Sequence, residues 1–303
     1  MSKRTIYSAI ILLFLSGCEQ FLEVELPGQE PKLVVNALLE PGDTLKVFLT
    51  KSSGILEGRE YNDKFETVKN AKVSLTSGSG SPVQLNYLEK LSHFGLESFY
   101  YLKSPNLKAN ETYKLSAESP GFKSIESRLT LPQSVPIKEL TFKNLGANGS
   151  SENYDLVEFT LKFEDLPGKN FYEIKGDFIG ESTTRANSFY VGELYPIPVN
   201  PVYKRNTWYG SGLLFNDLLL NGKDSEMIFR TTLPRDANLK VTVILSHVSE
   251  SYFLYEETAG LQSQTRNDFF SQPVLVYSNV LNGLGIFKAR NSSTKILDIL
   301  FED

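Results

Sequence analysis

Cysteine occurs once in these 303 residues, histidine and methionine twice each, and tryptophan once. A lone cysteine at position 18 excludes an intrachain disulfide framework and any multi-cysteine metal site. The two histidines, His93 and His247, leave little material for a zinc centre or a catalytic triad, each of which needs an imidazole with fixed partners. His93 stands in KLSHFG beside a turn and His247 ends the apolar run ILSH, so both read as structural or solvent-facing. Neither H-E-x-x-H nor G-x-S-x-G occurs, and no S-x-x-K has supporting context. Glu164 and Asp165 in FEDLPG read as a charged turn, and no D-x-D-x-D loop surrounds Asp165 or Asp177 to hold calcium. Positive charge is not in excess: 31 Lys and Arg against 36 Asp and Glu give a net charge of −5, which provides no electrostatic footprint for nucleic acid. Long apolar runs are missing too. The longest, Ile6 to Leu15, has about ten residues, where a bilayer core requires roughly 20 helical ones. These absences together point to a non-enzymatic protein with no cofactor and no metal.

What is present begins at the amino terminus. Lys3 and Arg4 precede the apolar stretch, and Leu15-Ser16-Gly17-Cys18 follows it, with the proportions of a secretory signal and a small-residue cleavage site. The pattern resembles the bacterial lipobox, which implies removal of residues 1–17, acylation of Cys18 and attachment to the outer membrane. Two or more acyl chains anchor a protein stably where one does not. Loss of Lys3 and Arg4 takes the net charge from −5 to −7. Residues 18–31 read as a lipidated tether. Residue 19 is Glu rather than Asp, and the acidic CEQFLEVELPGQEP is similar to surface-export signals of Bacteroidota lipoproteins, or serves as an ordinary solvated tether on the periplasmic face.

The remainder is rich in Tyr and Phe, 15 and 20 residues, in short alternating runs divided by Gly, Pro, Asn and Ser, the pattern of an all-β protein. KLVVNALL and TLKVFLTKS are the first strands; AKVSLTSG and SPVQLNYLEK predict a hairpin around Gly78-Ser79-Gly80; ESFYYLKS and the two strands of ETYKLSAESPGFKSIESRLTLP follow. Six or seven strands in residues 32–132 resemble an immunoglobulin-like β-sandwich. Pro132 and Pro136 bracket a linker, and residues 137–303 are expected to form a second β-sandwich-like domain. There Leu156, Val157, Phe159, Leu161 and Phe163 alternate with polar residues, and a strand returns after Pro167-Gly168. One short helix is predicted in SESYFLYEETAGLQSQTRNDFF, capped by Ser249 or Ser251, with Tyr252, Leu254 or Tyr255, and Leu261 as its apolar side. Between the strands, Tyr190, Tyr195, Tyr203, Trp208 and Tyr209 surround Pro196, Pro198 and Pro201. They form a candidate binding surface, since Tyr and Trp supply large rigid contact area with a polar handle; the competing reading places them in the core.

The stretch QPVLVYSNVLNGLGIFKARN carries Gly283 and Gly285 after an apolar run. A dinucleotide fingerprint requires a third glycine and a Walker loop requires Gly-Lys-Ser/Thr, and neither is present. Asn282-Gly283 instead predicts a two-residue hairpin turn joining VLVYSNV to LGIFKA. Together with LSHVSESYFLYEETAGLQ and LPGQEPKLVVNALLEPGDTLKVFLTKS, this stretch resembles the Bacteroidota lipoproteins classed as domain of unknown function 4249, over residues 19 to 303. Gln272 stands where that family commonly has an acidic residue. The resemblance implies an outer-membrane lipoprotein that works beside a TonB-dependent transporter as an accessory in nutrient or metal-complex uptake. The expectation drawn from it is a non-enzymatic accessory or ligand-binding component, with a glycan, peptide or siderophore as the candidate ligand. The alternative is a structural or assembly lipoprotein of the envelope with no small ligand.

Overall fold

The computed structural model describes residues 30–52, 67–92, 95–147, 153–203, 212–220, 222–265, 272 and 274–300. The first half contains β1 (Leu33–Leu39), β2 (Leu45–Lys51), β3 (Lys72–Ser77), β4 (Val83–Gln84), β5 (Asn86–Ser92), β6 (Gly95–Leu102), β7 (Thr112–Glu118) and β8 (Ile125–Thr130). The second contains β9 (Ile137–Ala147), β10 (Tyr154–Glu164), β11 (Phe171–Ser182), β12 (Phe189–Glu193), β13 (Ile197–Pro198), β14 (Leu213–Asn216), β15 (Asp224–Pro234) and β16 (Ala237–Val248). Helix α1 (Glu250–Thr265), β17 (Val280–Leu281) and β18 (Leu284–Leu300) complete the chain. The fold is all-β and sandwich-like with one helix among the described residues. Period-two patterning becomes one-sided burial: Leu45, Val47 and Leu49 of β2, and Val157, Phe159, Leu161 and Phe163 of β10, all point inward.

Three sheets carry the structure. Eight strands of the largest run β12-β11-β16-β18-β1-β2-β6-β5, with β14 as a ninth against β11. A four-stranded sheet, β13-β15-β10-β9, and a five-stranded one, β17-β8-β7-β3-β4, supply the other layers. Two cores result. Leu33, Val35, Leu49, Val73, Tyr113 and Leu131 belong to the first, and Val135, Phe159, Tyr172, Phe229, Val243 and Ile299 to the second.

The division into domains 32–132 and 137–303 meets a different arrangement here, because residues from Pro31 onward make one compact unit. The reason is β18. Its first residues run parallel to β1, Val34 beside Leu284 through Leu39 beside Ala289. Its remainder pairs antiparallel with β16, from Val248 beside Arg290 to Asn238 beside Leu300. Val280, Phe287 and Ala289 therefore sit in the first core and Ile299 in the second.

Of three expected hairpins, the one around Gly78-Ser79-Gly80 forms, though briefly, and the other two differ for a related reason. β3 and β4 pair only at Ser74–Gln84 and Leu75–Val83, after which β5 joins β6 in the other layer. β10 and β11 flank Pro167-Gly168 but belong to different sheets. The turn at Asn282-Gly283 is no hairpin either, since β17 pairs with β8 while β18 pairs with β1. Residues 274–279, expected as strand, are irregular. Asn282 does adopt the left-handed conformation, with φ of 58°, but the turn carries the chain from one layer of the first sandwich to the other. Gly285 is constrained more tightly. Its φ is +96°, and a Cβ built there would lie 1.9 Å from the carbonyl oxygen of Val35, so only glycine lets β18 reach β1.

Candidate functional site

The aromatic candidates do not share one surface. Tyr203 is buried in the second core, its ring meeting Phe215 edge-on at 5.6 Å. Tyr190 is half-buried; its hydroxyl donates to Asp236 at 2.8 Å and accepts from Arg185 Nη2 at 2.9 Å. That carboxylate also receives the Thr184 hydroxyl at 2.6 Å, and these hydrogen bonds, Thr184 first, hold its pKa down at about 2. Tyr195 is 55% exposed and points the opposite way from Tyr190 along the same ribbon, as an odd spacing in extended chain requires. Trp208, Tyr209, Cys18 and His93 lie outside the described residues.

The other candidate groups that are described are engaged within the fold or in surface ion pairs. Asp165 is buried and accepts the Tyr172 hydroxyl at 2.6 Å and the Gly222 N–H at 2.7 Å. Asp217, also buried, accepts the backbone and side-chain N–H groups of Asn170 at 2.8 and 3.1 Å. Burial pushes the Tyr172 phenol up, and its bond to Asp165 adds to that, so it remains a donor. Glu164, next in sequence, instead pairs with Lys138 on the surface. Among the described residues no group of three or more His, Cys, Asp or Glu is arranged to hold a metal ion. His247 donates from Nδ1 to the Gln133 carbonyl at 2.9 Å. Asn291 reaches the Pro132 carbonyl at 2.9 Å and the Ser293 hydroxyl the Val135 carbonyl at 2.6 Å. These three side chains bind the linker between the two cores to the large sheet. Burial lowers the His247 pKa, which suits a neutral ring with one N–H committed to a carbonyl.

The most densely connected polar site lies where α1 meets β18. The first half of β18 has β1 on one side, and no strand of the described residues on the other. Side chains replace one. The Asn279 amide brackets the Phe287 peptide, its Oδ1 accepting the Phe287 N–H at 3.0 Å and its Nδ2 donating to the Phe287 carbonyl at 2.7 Å. Ser249 takes the next position, its hydroxyl accepting the Ala289 N–H at 3.1 Å and its own N–H donating to the Ala289 carbonyl at 2.9 Å. The same hydroxyl accepts the Tyr252 N–H at 3.2 Å, so Ser249, not Ser251, caps the helix. Ser251 contributes a hydrogen bond to the Phe287 carbonyl at 3.2 Å.

Charges lie just above this seam. Lys288 meets Glu256 at 2.6 Å, under the rings of Tyr252 and Tyr255, 4.7 and 5.3 Å from their centroids. Arg290 meets Glu40 at 2.8 Å, and Glu173 is held by Lys175 at 3.0 Å and the Tyr252 hydroxyl at 2.9 Å. Burial first, and then the charges of Glu173 and Glu256, push the Tyr252 phenol far up. The helix thus rests on Tyr252, as expected, and on Phe253, Glu256, Ala259 and Gly260, while Leu254 and Tyr255 are half-buried and Leu261 is exposed.

Asn279, Gly285 and Phe287 come from one of the three stretches that carry the resemblance, Ser249, Ser251 and Tyr252 from another, and the geometry links these two by mutual support. The model for the family described as Domain of unknown function (DUF4249) matches residues 19–296. The chain belongs to the DUF4249 family. Comparison with curated proteins gave no match. In this DUF4249 chain the residues that carry the resemblance thus include those that complete the open edge of β18. These hydrogen bonds are directed into the fold and brace the open edge of β18.

Proposed function

We propose that the protein is a Bacteroidota outer-membrane lipoprotein, held by an acylated Cys18, that serves a TonB-dependent uptake system as a non-enzymatic accessory or ligand-binding component. The observation that carries this reading is the order of Lys3-Arg4, the apolar Ile6–Leu15 stretch and Leu15-Ser16-Gly17-Cys18, in a chain with no other cysteine. Membership of the DUF4249 family supports it through the lipoprotein character and transporter association that the resemblance implies. The chemistry of the described residues is compatible with binding work, because the buried carboxylates are held by hydrogen bonds or cations within the fold.

The test is a mild-detergent pull-down of the tagged lipoprotein from its host, beside a Cys18→Ala control, with partners identified by mass spectrometry. A stoichiometric TonB-dependent barrel that disappears in the control supports the proposal. Recovery of no barrel refutes it and turns attention to an assembly or structural role in the envelope. Saturable binding of a glycan, peptide or siderophore to the purified protein then separates a ligand carrier from a complex stabiliser.

A further inference from the structure

Along their main paths the three sheets have six edge strands, and five of them carry the features that keep other strands away, while β14, off the path against β11, is buried at Leu213, Leu214 and Phe215. β4, β13 and β17 are two residues long, and β13 includes Pro198. β9 carries two register shifts against β10 and sits among ion pairs, Lys138 with Glu164 and Glu139 with Lys162. β5 has Glu89 and Lys90 in ion pairs with Lys69 and Glu97. β12, FYVGE, has no lysine, no proline and no register break against β11, and its one charged residue is Glu193 at its end.

Its backbone polarity follows from the ladder. Leu194 N–H bonds to Gly176 O and Ser182 N–H to Ser188 O, both at 2.9 Å, so the even-numbered residues 188 to 194 face β11. The N–H and C=O of Phe189 and Val191 consequently point away from the sheet, and no other strand of the described residues pairs with β12. The side chains of these two residues are 65% and 76% exposed, and Ile179, the cross-strand neighbour of Val191, is 51% exposed. Acidic Asp177 and Glu181 flank Ile179 on the same exposed face. An edge with open hydrogen-bonding groups, apolar residues at the pairing positions and carboxylates alongside matches an extended polypeptide with the complementary pattern. A second copy of this chain fits worse, because its own β12 carries no Lys or Arg to meet these carboxylates.

We infer that β12 is an acceptor edge for a strand of another protein, a segment of about five residues with apolar side chains at alternate positions and Lys or Arg beside them. The inference is independent of the uptake reading, since the donor need not be a barrel.

The test uses a photoreactive phenylalanine analogue at position 189 of the full lipoprotein in its native host, with the same analogue at Leu91 on β5 as a control. The expected result is a crosslink to one protein, mapped to a segment of the stated pattern and absent from the control. Val191→Pro removes an N–H that has no partner in β11, so the fold keeps its ladder while the donor loses a hydrogen bond. It is expected to lower the crosslink yield at least fivefold where Val191→Thr does not. Should the proline variant fail to fold, as read from its thermal unfolding, Asp177→Lys with Glu181→Lys provides the second arm and is expected to lower the same yield severalfold. Crosslinking to lipid only, to a second copy of this chain, or to nothing overturns the inference. So do equal yields in Val191→Pro and Val191→Thr, or an unchanged yield in the double lysine variant.

Discussion

Replacing Lys288 by Met removes the cation that sits 2.6 Å from Glu256 in a seam where the two side chains are only 14% and 12% exposed. The carboxylate is left with no cation in partly desolvated surroundings, and such a loss costs about 3–5 kcal/mol. Part of it is the lost contact with the Tyr252 and Tyr255 rings, about 0.5–2 kcal/mol. The pair between Lys162 and Glu139 provides the comparison. Its separation is 2.8 Å, almost the same, but the side chains are 47% and 51% exposed, so Lys162→Met should leave the unfolding midpoint close to the parent's. The double variant Glu256→Leu with Lys288→Met removes both charges together and should return to within about 1 kcal/mol of the parent, or exceed it. The assay is urea unfolding followed by circular dichroism, with the four midpoints compared at a shared slope. The reasoning fails if Lys288→Met lies within about 1 kcal/mol of the parent, or if Lys162→Met costs as much.

Two further outcomes are expected. Gly285→Ala should destabilise by more than about 3 kcal/mol, as it adds a steric conflict with the Val35 carbonyl to the strain of a positive φ, while Gly42→Ala, with φ of +84° and nothing within 4 Å, should cost only about 1–2 kcal/mol; urea midpoints of the two variants decide. For His247 the folded pKa lies below its ordinary value of 6.5, so the unfolded chain takes up a proton first and stability is lost as pH falls through 6.5, levelling below the folded value. The slope from this residue reaches at most about 1.4 kcal/mol per pH unit, and His247→Gln should shrink the difference in stability between pH 7.5 and 5.5.

Local patterning was legible wherever burial followed the period of the chain. The inward residues of β2 and β10, and a serine cap at the start of α1, can be read directly from spacing. The helix's buried face was not, because Glu256 is accommodated by Lys288 rather than by exposure, and no apolar stripe announces such a contact. The hairpin expected at Asn282-Gly283 failed for a different reason. Turn chemistry specifies the backbone angles at Asn282, which are as expected, but says nothing of which sheet the next strand joins. The aromatic cluster divides on the same limit: Tyr190, Tyr195 and Tyr203 have similar chemistry, and only the path of the ribbon between the two layers sends one outward and another into the core. Asn279 was visible only as part of a resemblance; its role as a substitute strand depends on contacts eight residues away.

A chain is synthesised from its amino terminus, yet β1, the first strand, takes one of its two neighbours from β18, the last. Val34 must wait for Leu284, and the first core lacks Phe287 and Ala289 until nearly the whole polypeptide has emerged. Closure over such a separation is entropically costly and slow. The amino-terminal half is thus held incomplete during elongation and sealed late, by the same strand that finishes the other half, so early termination anywhere before residue 284 leaves neither core whole.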